Sequence, residues 1–289
     1  MGESGYVDYW TNIFTPEGLR KMYIENPELS HLIGWWSMDE RLKGYAPADF
    51  VALMDRLNID KTYVPSFKMQ SYKSRSLLLD VKVDDVRELM ASTNGRVGGL
   101  YGYDIGRGWE AVKELEIAVK EWGFAGGHLH ANGWGVPLNH RELFPFYAKC
   151  CELDIPIVLQ CGHSAEHMPS EGSRPIYLDD IALYFPELRI VASHTGWPWN
   201  KELIAMAWKH PNIYIGCGAH APRYWDKDLV QFLNSRGQGK VLWGSDFPVV
   251  THQVSLEQVA VLPLKDSARK ALMRGAAENV FKDLVCTRV

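Results

Sequence analysis

The feature that most constrains the fold is an alternation of helical and strand-like segments that repeats from Ala46 onwards. Each unit begins with an amphipathic stretch, passes a turn and ends in a short β-rich run followed by polar residues or glycine. For example, "WEAVKELEIAVKEWG" leads into "FAGGHLHANG", and "HRELFPFYAKCCELD" leads into "IPIVLQCGH". Together with the opening run "YVDYWTNIF", these units predict eight strands separated by helices.

Alternating strands and helices with short connections favour a parallel sheet with right-handed crossovers. Eight units in 289 residues favour a closed (β/α)₈ TIM barrel, and an open doubly wound sheet is the alternative. Runs such as "PIVL" and "RIVAS" are typical of strands buried on both faces. We therefore predict an α/β fold, a single TIM-barrel domain over residues 1–289, whose tail "LKDSARKALMRGAAENVFKDL" forms closing helices packed on the outside.

The composition excludes several classes of protein. A chain that is 46% hydrophobic and 23% charged is an ordinary globular protein, and a net charge of −4 with scattered Lys and Arg predicts neither a nucleic-acid nor a membrane partner. Five cysteines without C-x-x-C spacing indicate neither a disulfide framework nor a thiolate zinc site. No basic and apolar leader or membrane-length apolar run is present, so we expect a cytoplasmic protein.

Polar residues follow several of the predicted strands. His128 and His130 are separated by one residue, so their side chains share a face of the predicted strand. His194 and Asp246 each stand where an apolar run ends. A single strand-end His or Asp is more often a cap or a hydrogen-bonded loop residue. However, the C-terminal ends of all barrel strands meet at one mouth. The pattern therefore predicts a polar site there, formed by His130, Gln160, His163, His194 and Asp246.

Two motifs add to this prediction, the H-x-G-W-P-W that begins at His194 and the G-S-D-F-P that contains Asp246. With most of the chain after Trp122, they resemble the amidohydrolase superfamily, in particular the branch with aminocarboxymuconate semialdehyde decarboxylase and resorcylate decarboxylase. The resemblance implies a TIM barrel with a metal at its mouth that hydrolyses C–N or C–O bonds or removes CO₂ nonoxidatively. It implies that His194 positions or deprotonates a metal-bound water, and that Asp246 is a metal ligand and proton acceptor.

The chain departs from this family at the expected ligands. The family's first strand carries H-x-H, where this chain has Trp10 and Asn12, and Gln160 stands at the place of the fifth-strand histidine. His130 matches a histidine after the fourth strand, with His128 where a lysine is expected. The inward-facing histidines are plausible substitutes in a relocated site for zinc, manganese or iron. Its predicted ligands are His128, His130, His163, His194 and Asp246.

Three hypotheses for function remain open. The first is a hydrolase or decarboxylase of a small carboxylated or aromatic substrate, with His194 and Asp246 as the catalytic residues. The second is an assisting barrel subunit in a hetero-oligomer with a catalytic paralogue, and the third is metal-independent catalysis by His194 and Asp246. A catalytic chain is expected to form a homo-oligomer. The predicted substrate-binding residues are Trp10, Asn12, Trp134, Gln160, Trp197 and His220.

Overall fold

A computed structural model describes residues 4–286 and places eight parallel strands in one sheet. Neighbouring strands in the sheet are also neighbours in the chain, apart from one inserted hairpin. The barrel strands are β1 (Tyr6–Asp8), β2 (Ile59–Pro65), β5 (Val97–Gly102), β6 (Gly126–Leu129), β7 (Ile157–Leu159), β8 (Ile190–Ala192), β9 (Ile213–Gly216) and β10 (Val241–Leu242). The eight strands expected from the alternating pattern are therefore confirmed.

The sheet closes between its first and last strands through backbone hydrogen bonds just beyond their ends. Tyr9 N donates to Trp243 O at 3.1 Å, and Asp246 N donates to Trp10 O at 2.9 Å. This closure makes the predicted (β/α)₈ barrel, a TIM barrel, the observed architecture. The predicted domain boundaries also include residues 1–3 and 287–289, which lie outside the described residues.

Helices connect the strands and cover the outside of the sheet. Helix α5 is representative, because its apolar residues Ala111, Val112, Leu115 and Ala118 recur at helical spacing and are buried. The helices are α1 (Pro16–Leu19), α2 (His31–Trp36), α3 (Pro47–Arg56), α4 (Val83–Ser92), α5 (Trp109–Lys120), α6 (Phe144–Glu152), α7 (Leu178–Tyr184), α8 (Asn200–Lys209), α9 (Lys227–Leu233), α10 (His252–Val261), α11 (Asp266–Lys270), α12 (Ala276–Val280) and α13 (Asp283–Cys286). Between residues 4 and 286, no helix is long and apolar enough to cross a bilayer.

A hairpin that the alternating pattern does not reveal follows β2. Strands β3 (Phe67–Gln70) and β4 (Leu77–Val81) pair antiparallel outside the barrel sheet. Their segment has neither a helical period nor an apolar run, so it gives little signal in the sequence. The hairpin places the Phe67 ring centroid 5.4 Å from that of the His130 ring.

The C-terminal tail does not pack only on the outside, and that part of the tail prediction is wrong. Ala276, Val280 and Phe281 join the apolar cluster inside the barrel, and the Phe281 ring stacks on Tyr63 at 4.0 Å. Arg189, which precedes β8, donates to Val280 O at 2.9 Å. The tail therefore closes the N-terminal end of the barrel, where its apolar residues cover side chains that water would otherwise reach.

One glycine at the end of β9 and another just after β10 make room for a large side chain. The Tyr9 ring is fully buried, and a Cβ added at Gly216 or Gly244 would lie 2.4 Å from that ring. Its hydroxyl accepts a hydrogen bond from Gly218 N at 3.1 Å. These contacts fix the start of the segment that carries Trp10 and Asn12 to the mouth.

Candidate active site

A cavity of about 780 Å³ opens at the C-terminal ends of the strands. It receives side chains from the segments that follow β1, β7, β8, β9 and β10, as expected for an active site of a barrel. The lining includes most of the residues predicted for the site, namely Trp10, Asn12, Gln160, His163, His194, Trp197, His220 and Asp246. Residues distant in the chain are thus gathered around one mouth.

Three predicted site residues lie elsewhere in the described part of the chain. His128 is fully buried beneath Trp10, whose ring centroid lies 4.7 Å away in an edge-on contact. His130 lies behind the cavity wall, and Trp134 ends a short 3₁₀ turn beside Gly106. None of the three lines the cavity. A direct contact between them and a substrate therefore stays a prediction.

Asp246 is held at the inner end of the cavity with an unusual backbone conformation. Its φ of 54° is one that residues other than glycine seldom adopt, and such strain is concentrated at functional sites. Asn12 Nδ2 donates to Asp246 Oδ1 at 2.8 Å. Burial raises the pKa of the Asp246 carboxyl well above its usual range; this hydrogen bond opposes the rise, while the charges of Asp8 and Glu166 add to it. A carboxyl in this setting favours the neutral acid form.

His194 follows β8 with a φ of 60° and faces the same cavity. Its ring centroid lies 5.1 Å from the Trp10 ring, and its Nδ1 lies 3.4 Å from Gly218 O. Burial and the nearby His220 ring lower the pKa of His194 to about 3. The imidazole is therefore neutral at ordinary pH, and it can accept a hydrogen bond but does not supply a positive charge.

Trp10 occupies the centre of this arrangement. Its ring contacts both His128 and His194, and its Nε1 donates to Asn12 Oδ1 at 3.1 Å. Asn12 in turn donates to Asp246. The indole thus separates the two histidines and orients the amide that holds the acid.

Glu166 is a cavity residue that the sequence patterns did not single out. Its Oε1 lies 3.1 Å from His130 Nε2, and its Oε2 accepts a hydrogen bond from Ser164 Oγ at 2.9 Å. Burial alone would raise the pKa of the Glu166 carboxyl, but its contacts with His130 and Ser164 hold that pKa below the ordinary value. The only signal in the sequence is its place in the loop after β7, three residues beyond His163.

Asp8 forms a second polar group that supports the site from below. This fully buried carboxylate accepts hydrogen bonds from Trp10 N at 3.0 Å and from Ser245 Oγ at 2.6 Å. His252 Nε2 lies 3.0 Å from the same carboxylate. Although Asp, Ser and His meet here, none of the three lines the cavity. The group joins β1, the segment after β10 and helix α10, and so fixes the neighbours of Trp10 and Asp246.

The rim of the cavity combines aromatic and basic side chains. The Trp197 ring lies 5.4 Å from His163 and 6.0 Å from His220. Arg41 and Arg223 also line the opening, and the Arg223 guanidinium lies over the Tyr224 ring. Such a rim suits a small anionic ligand with an apolar or aromatic body.

A comparison with known protein families shows to which family this chain belongs. The sequence profile of the amidohydrolase family matches residues 78–282. The chain belongs to this family. Among curated proteins, the chain is 25% identical over 214 residues to 2-keto-4-carboxy-3-hexenedioate hydratase from Sphingobium sp. strain SYK-6. The match covers 60% of this chain and 61% of the hydratase, which is less than two thirds of the relative's length.

Solved structures share the fold of this chain. An uncharacterised TIM-barrel protein from Bordetella bronchiseptica superposes with a TM-score of 0.78 at 20% identity, over 95% of this chain and 97% of that chain. The 5-carboxyvanillate decarboxylase of Novosphingobium aromaticivorans, solved with manganese and 4-hydroxy-3-methoxy-5-nitrobenzoic acid, gives a TM-score of 0.70 at 17% identity. That match covers 98% of this chain and 97% of the decarboxylase.

The described side chains of this chain do not form a ligand set for a metal ion such as the manganese in that decarboxylase. Among residues 4–286, no three His, Cys, Asp or Glu side chains are grouped so that they could hold a metal ion. The Trp10 ring lies against both His128 and His194. His130 uses Nδ1 to accept from Gly133 N at 3.0 Å, and its Nε2 faces Glu166. A zinc site needs at least three protein ligands at about 2.0–2.2 Å, and this arrangement does not provide them.

Proposed function

We propose that this protein is a lyase that transfers a proton to a carbon atom of a small carboxylated substrate, as in nonoxidative decarboxylation or in the hydration of a double bond. The observation that carries the proposal is the buried carboxyl of Asp246, held by Asn12 at the inner end of the cavity. A neutral carboxylic acid is the group that such a proton transfer requires. His194, neutral and adjacent, is proposed to accept a hydrogen bond from the substrate.

Both reactions share this protonation step. In nonoxidative decarboxylation, the carbon that bears the carboxylate takes up a proton as CO₂ leaves. In hydration, the carbon next to the substrate carbonyl takes up a proton after the water oxygen has bonded to its neighbour. One well-placed acid therefore serves either reaction. The decarboxylase fold of the solved relatives and the hydratase among the curated relatives support this class of chemistry.

The shape and charge of the cavity support a small substrate with an apolar body and at least one carboxylate. Trp10 and Trp197 provide aromatic surface, while Arg41 and Arg223 provide positive charge at the opening. The Arg41 guanidinium donates to Pro248 O and Trp36 O, each at 3.0 Å, so it also holds the loops that frame the opening. Arg223 is proposed as the residue that attracts the substrate carboxylate.

The test of this proposal is turnover in deuterated water. The purified chain is incubated with 5-carboxyvanillate and, separately, with 2-keto-4-carboxy-3-hexenedioate, and products are followed by proton NMR. We expect one of these classes to react, with deuterium on the carbon that Asp246 protonates. Absence of both turnover and exchange with either class would contradict the proposed chemistry.

The pH dependence provides a second prediction. Asp246 must be protonated, and its pKa is raised by burial and by the charges of Asp8 and Glu166, so kcat is expected to fall as the pH rises through that raised value. His194, with a pKa of about 3, and His220, lowered by burial to about 4, stay neutral between pH 5 and 9. A kcat that instead increases steadily from pH 5 to 9 would indicate that Asp246 acts as an ionised base.

Metal removal provides a third prediction. Because the described side chains do not form a ligand set, treatment with a chelator followed by dialysis is expected to leave kcat unchanged. The metal content is measured on the same sample by elemental analysis. Loss of activity that returns on addition of manganese or zinc would mean that Trp10 moves aside and that the predicted ligands assemble around an ion.

The assisting-subunit hypothesis has a separate test. Its motivation is the replacement of the first-strand ligands by Trp10 and Asn12. Co-purification with a second barrel chain that carries H-x-H would support it, whereas turnover by a pure homo-oligomer would exclude it. The oligomeric state and the cytoplasmic location of the chain stay predictions.

A further inference from the structure

We propose that the outer half of the cavity is a second subsite that takes an aromatic ring, so that the substrate is an aromatic carboxylate of two ring-sized units. This inference rests on the proposed function, because it names the substrate class for the same site. The size of the cavity, its exposed aromatic walls and the contacts that hold these walls in place all favour such a molecule.

The cavity is much larger than one aromatic ring requires. An apolar cavity of about 150 Å³ accommodates a benzene molecule. The cavity of this protein measures about 780 Å³. Pockets that bury most of a drug-sized ligand have volumes of about 300–1,000 Å³. A single ring with one carboxylate would therefore leave most of the cavity to water, and the volume suits a longer molecule.

The inner half of the cavity is the polar group formed by Trp10, Asn12, His194 and Asp246, all of which are buried. Its members contact one another directly. Trp10 Nε1 donates to Asn12, and Asn12 donates to Asp246. The His194 ring lies 5.1 Å from that of Trp10. This compact group faces one unit of the substrate, the unit that carries the reacting carbon.

An apolar wall connects the buried group with the opening. The chain between β1 and β2 supplies this wall, and its residues Met22, Leu29 and Leu32 line the cavity and are buried. One helical turn after Leu32, Trp35 lines the same cavity but is exposed. The wall carries no charge, so it favours the apolar body of a ligand.

The outer half of the cavity is the group of exposed apolar side chains at its opening, Trp35, Trp197, Tyr224 and Val254. Trp35 is 69% exposed and Tyr224 is 70% exposed. Apolar side chains that are exposed together on a soluble protein mark a binding surface. A ligand ring that packs against them releases the water that covers them. The opening is therefore a favourable place for the second ring.

The exposed rings are held in defined positions. The Trp35 ring packs edge-on against His31 with a centroid distance of 4.6 Å, and His31 stacks on His167 of the loop after β7 at 4.4 Å. The Arg223 guanidinium lies over Tyr224, 4.6 Å from the ring centroid. Rings that are fixed in advance lose little conformational freedom when a ligand binds, so they can act as aromatic anchors.

The experiment compares two acids that differ by one ring. Benzoate and biphenyl-4-carboxylate are titrated separately into the purified chain, and the dissociation constant Kd is measured by isothermal titration calorimetry. We expect biphenyl-4-carboxylate to bind at least about tenfold more tightly, because its second ring covers apolar surface in the outer half. Equal affinities for the two acids would overturn the inference.

Variants at the opening locate the second ring. Trp35→Ala and Tyr224→Ala truncate exposed side chains, so both variants are expected to fold and to weaken the binding of biphenyl-4-carboxylate about tenfold. Their Kd for benzoate is expected to stay unchanged, since benzoate occupies the inner half. Trp35→Phe keeps a ring and is expected to restore most of the affinity. Equal weakening of both acids would mean that the opening binds the first ring, which would contradict a second subsite.

Trp208→Ala is the matched control. Trp208 is 61% exposed on α8, lies beside Arg236 and does not line the cavity. Its truncation is expected to leave the Kd of both acids unchanged. If Trp208→Ala weakened biphenyl-4-carboxylate as much as Trp35→Ala does, the extra ring would be binding to exposed aromatic side chains in general, and the inference would be wrong.

A second copy of the chain is the competing occupant of the opening. Analytical ultracentrifugation of the wild type and of Trp35→Ala over a range of concentrations tests this alternative. An oligomer that dissociates in Trp35→Ala, together with equal affinities of the wild type for the two acids, would assign the opening to a subunit contact and overturn the inference.

The inference and the proposed function can fail separately. Turnover of 5-carboxyvanillate in deuterated water without any preference for biphenyl-4-carboxylate would overturn the second subsite and support the proposed function. A preference for biphenyl-4-carboxylate that Trp35→Ala abolishes, in a chain that shows neither turnover nor exchange, would support the subsite and contradict the proposed function.

Discussion

Asp246→Asn is expected to lower kcat at least about 10²-fold and to make the folded protein more resistant to heat at pH 8. The activity is lost because the amide cannot release a proton to carbon. The acceptor for Asn12 is retained, since an oxygen can stay at the Oδ1 position. Turnover and the midpoint of thermal unfolding, Tm, are measured on the same preparation, with Asp39→Asn on the surface as control.

The stability effect follows from the direction of the pKa shift. Because the pKa of Asp246 is raised in the folded state, the folded protein binds more protons than the unfolded one above the unfolded value. The contribution of Asp246 to folding stability is therefore lost as the pH rises from the pKa of an unfolded Asp, about 3.9, through the higher pKa of Asp246 in the folded state. The neutral Asn avoids that loss, so its gain in Tm is expected at pH 8 and not at pH 3.5. Full activity of the variant would remove Asp246 from the mechanism.

Asp8→Ala is expected to be the most destabilising single change in the site, with a loss of about 3–5 kcal/mol in the free energy of unfolding. The substitution leaves the donors on Trp10, Thr11 and Ser245 without their buried acceptor. It also separates His252 from its partner. For a protein of this size we expect Tm to fall by roughly 10 °C.

Milder substitutions calibrate this effect. Ser245→Ala removes one of the donors to Asp8 and is expected to lose about 1.5–3 kcal/mol. Asp39→Ala on the surface is expected to stay within about 0.5 kcal/mol of the wild type. Denaturant titration of the three variants gives the comparison. A change for Asp8→Ala no larger than that for Asp39→Ala would show that the buried group does not hold the barrel ends together.

The repeating pattern of the sequence was sufficient to predict the barrel because helix and strand periods are local properties. The run that ends in "LHANG" and the run "PIVL" became β6 and β7 at the expected places. The hairpin of β3 and β4 lacked such a period. The helical pattern of the tail was predicted correctly. The sequence did not show that the apolar side chains of the tail would pack against the N-terminal end of the barrel.

The grouping of several strand-end residues at the mouth was predicted for a related reason. Strand-end residues such as His194 and Asp246 are brought together by any parallel barrel, and both line the cavity. The sequence also showed that Trp10 and Asn12 stand where metal ligands were expected. It did not reveal that the Trp10 ring would lie between His128 and His194, or that Asn12 would hold Asp246.

The sequence by itself therefore determined the barrel, its family and most of the polar residues at its mouth, since each follows from local periodicity and from motifs. Only the tertiary structure decided which of those residues act together. It placed the His130 ring against Glu166, and it buried Asp8 with Ser245 and His252. A metal-binding role for His130 stays a prediction. Such pairings depend on distances between loops far apart in the chain, and no local pattern encodes them.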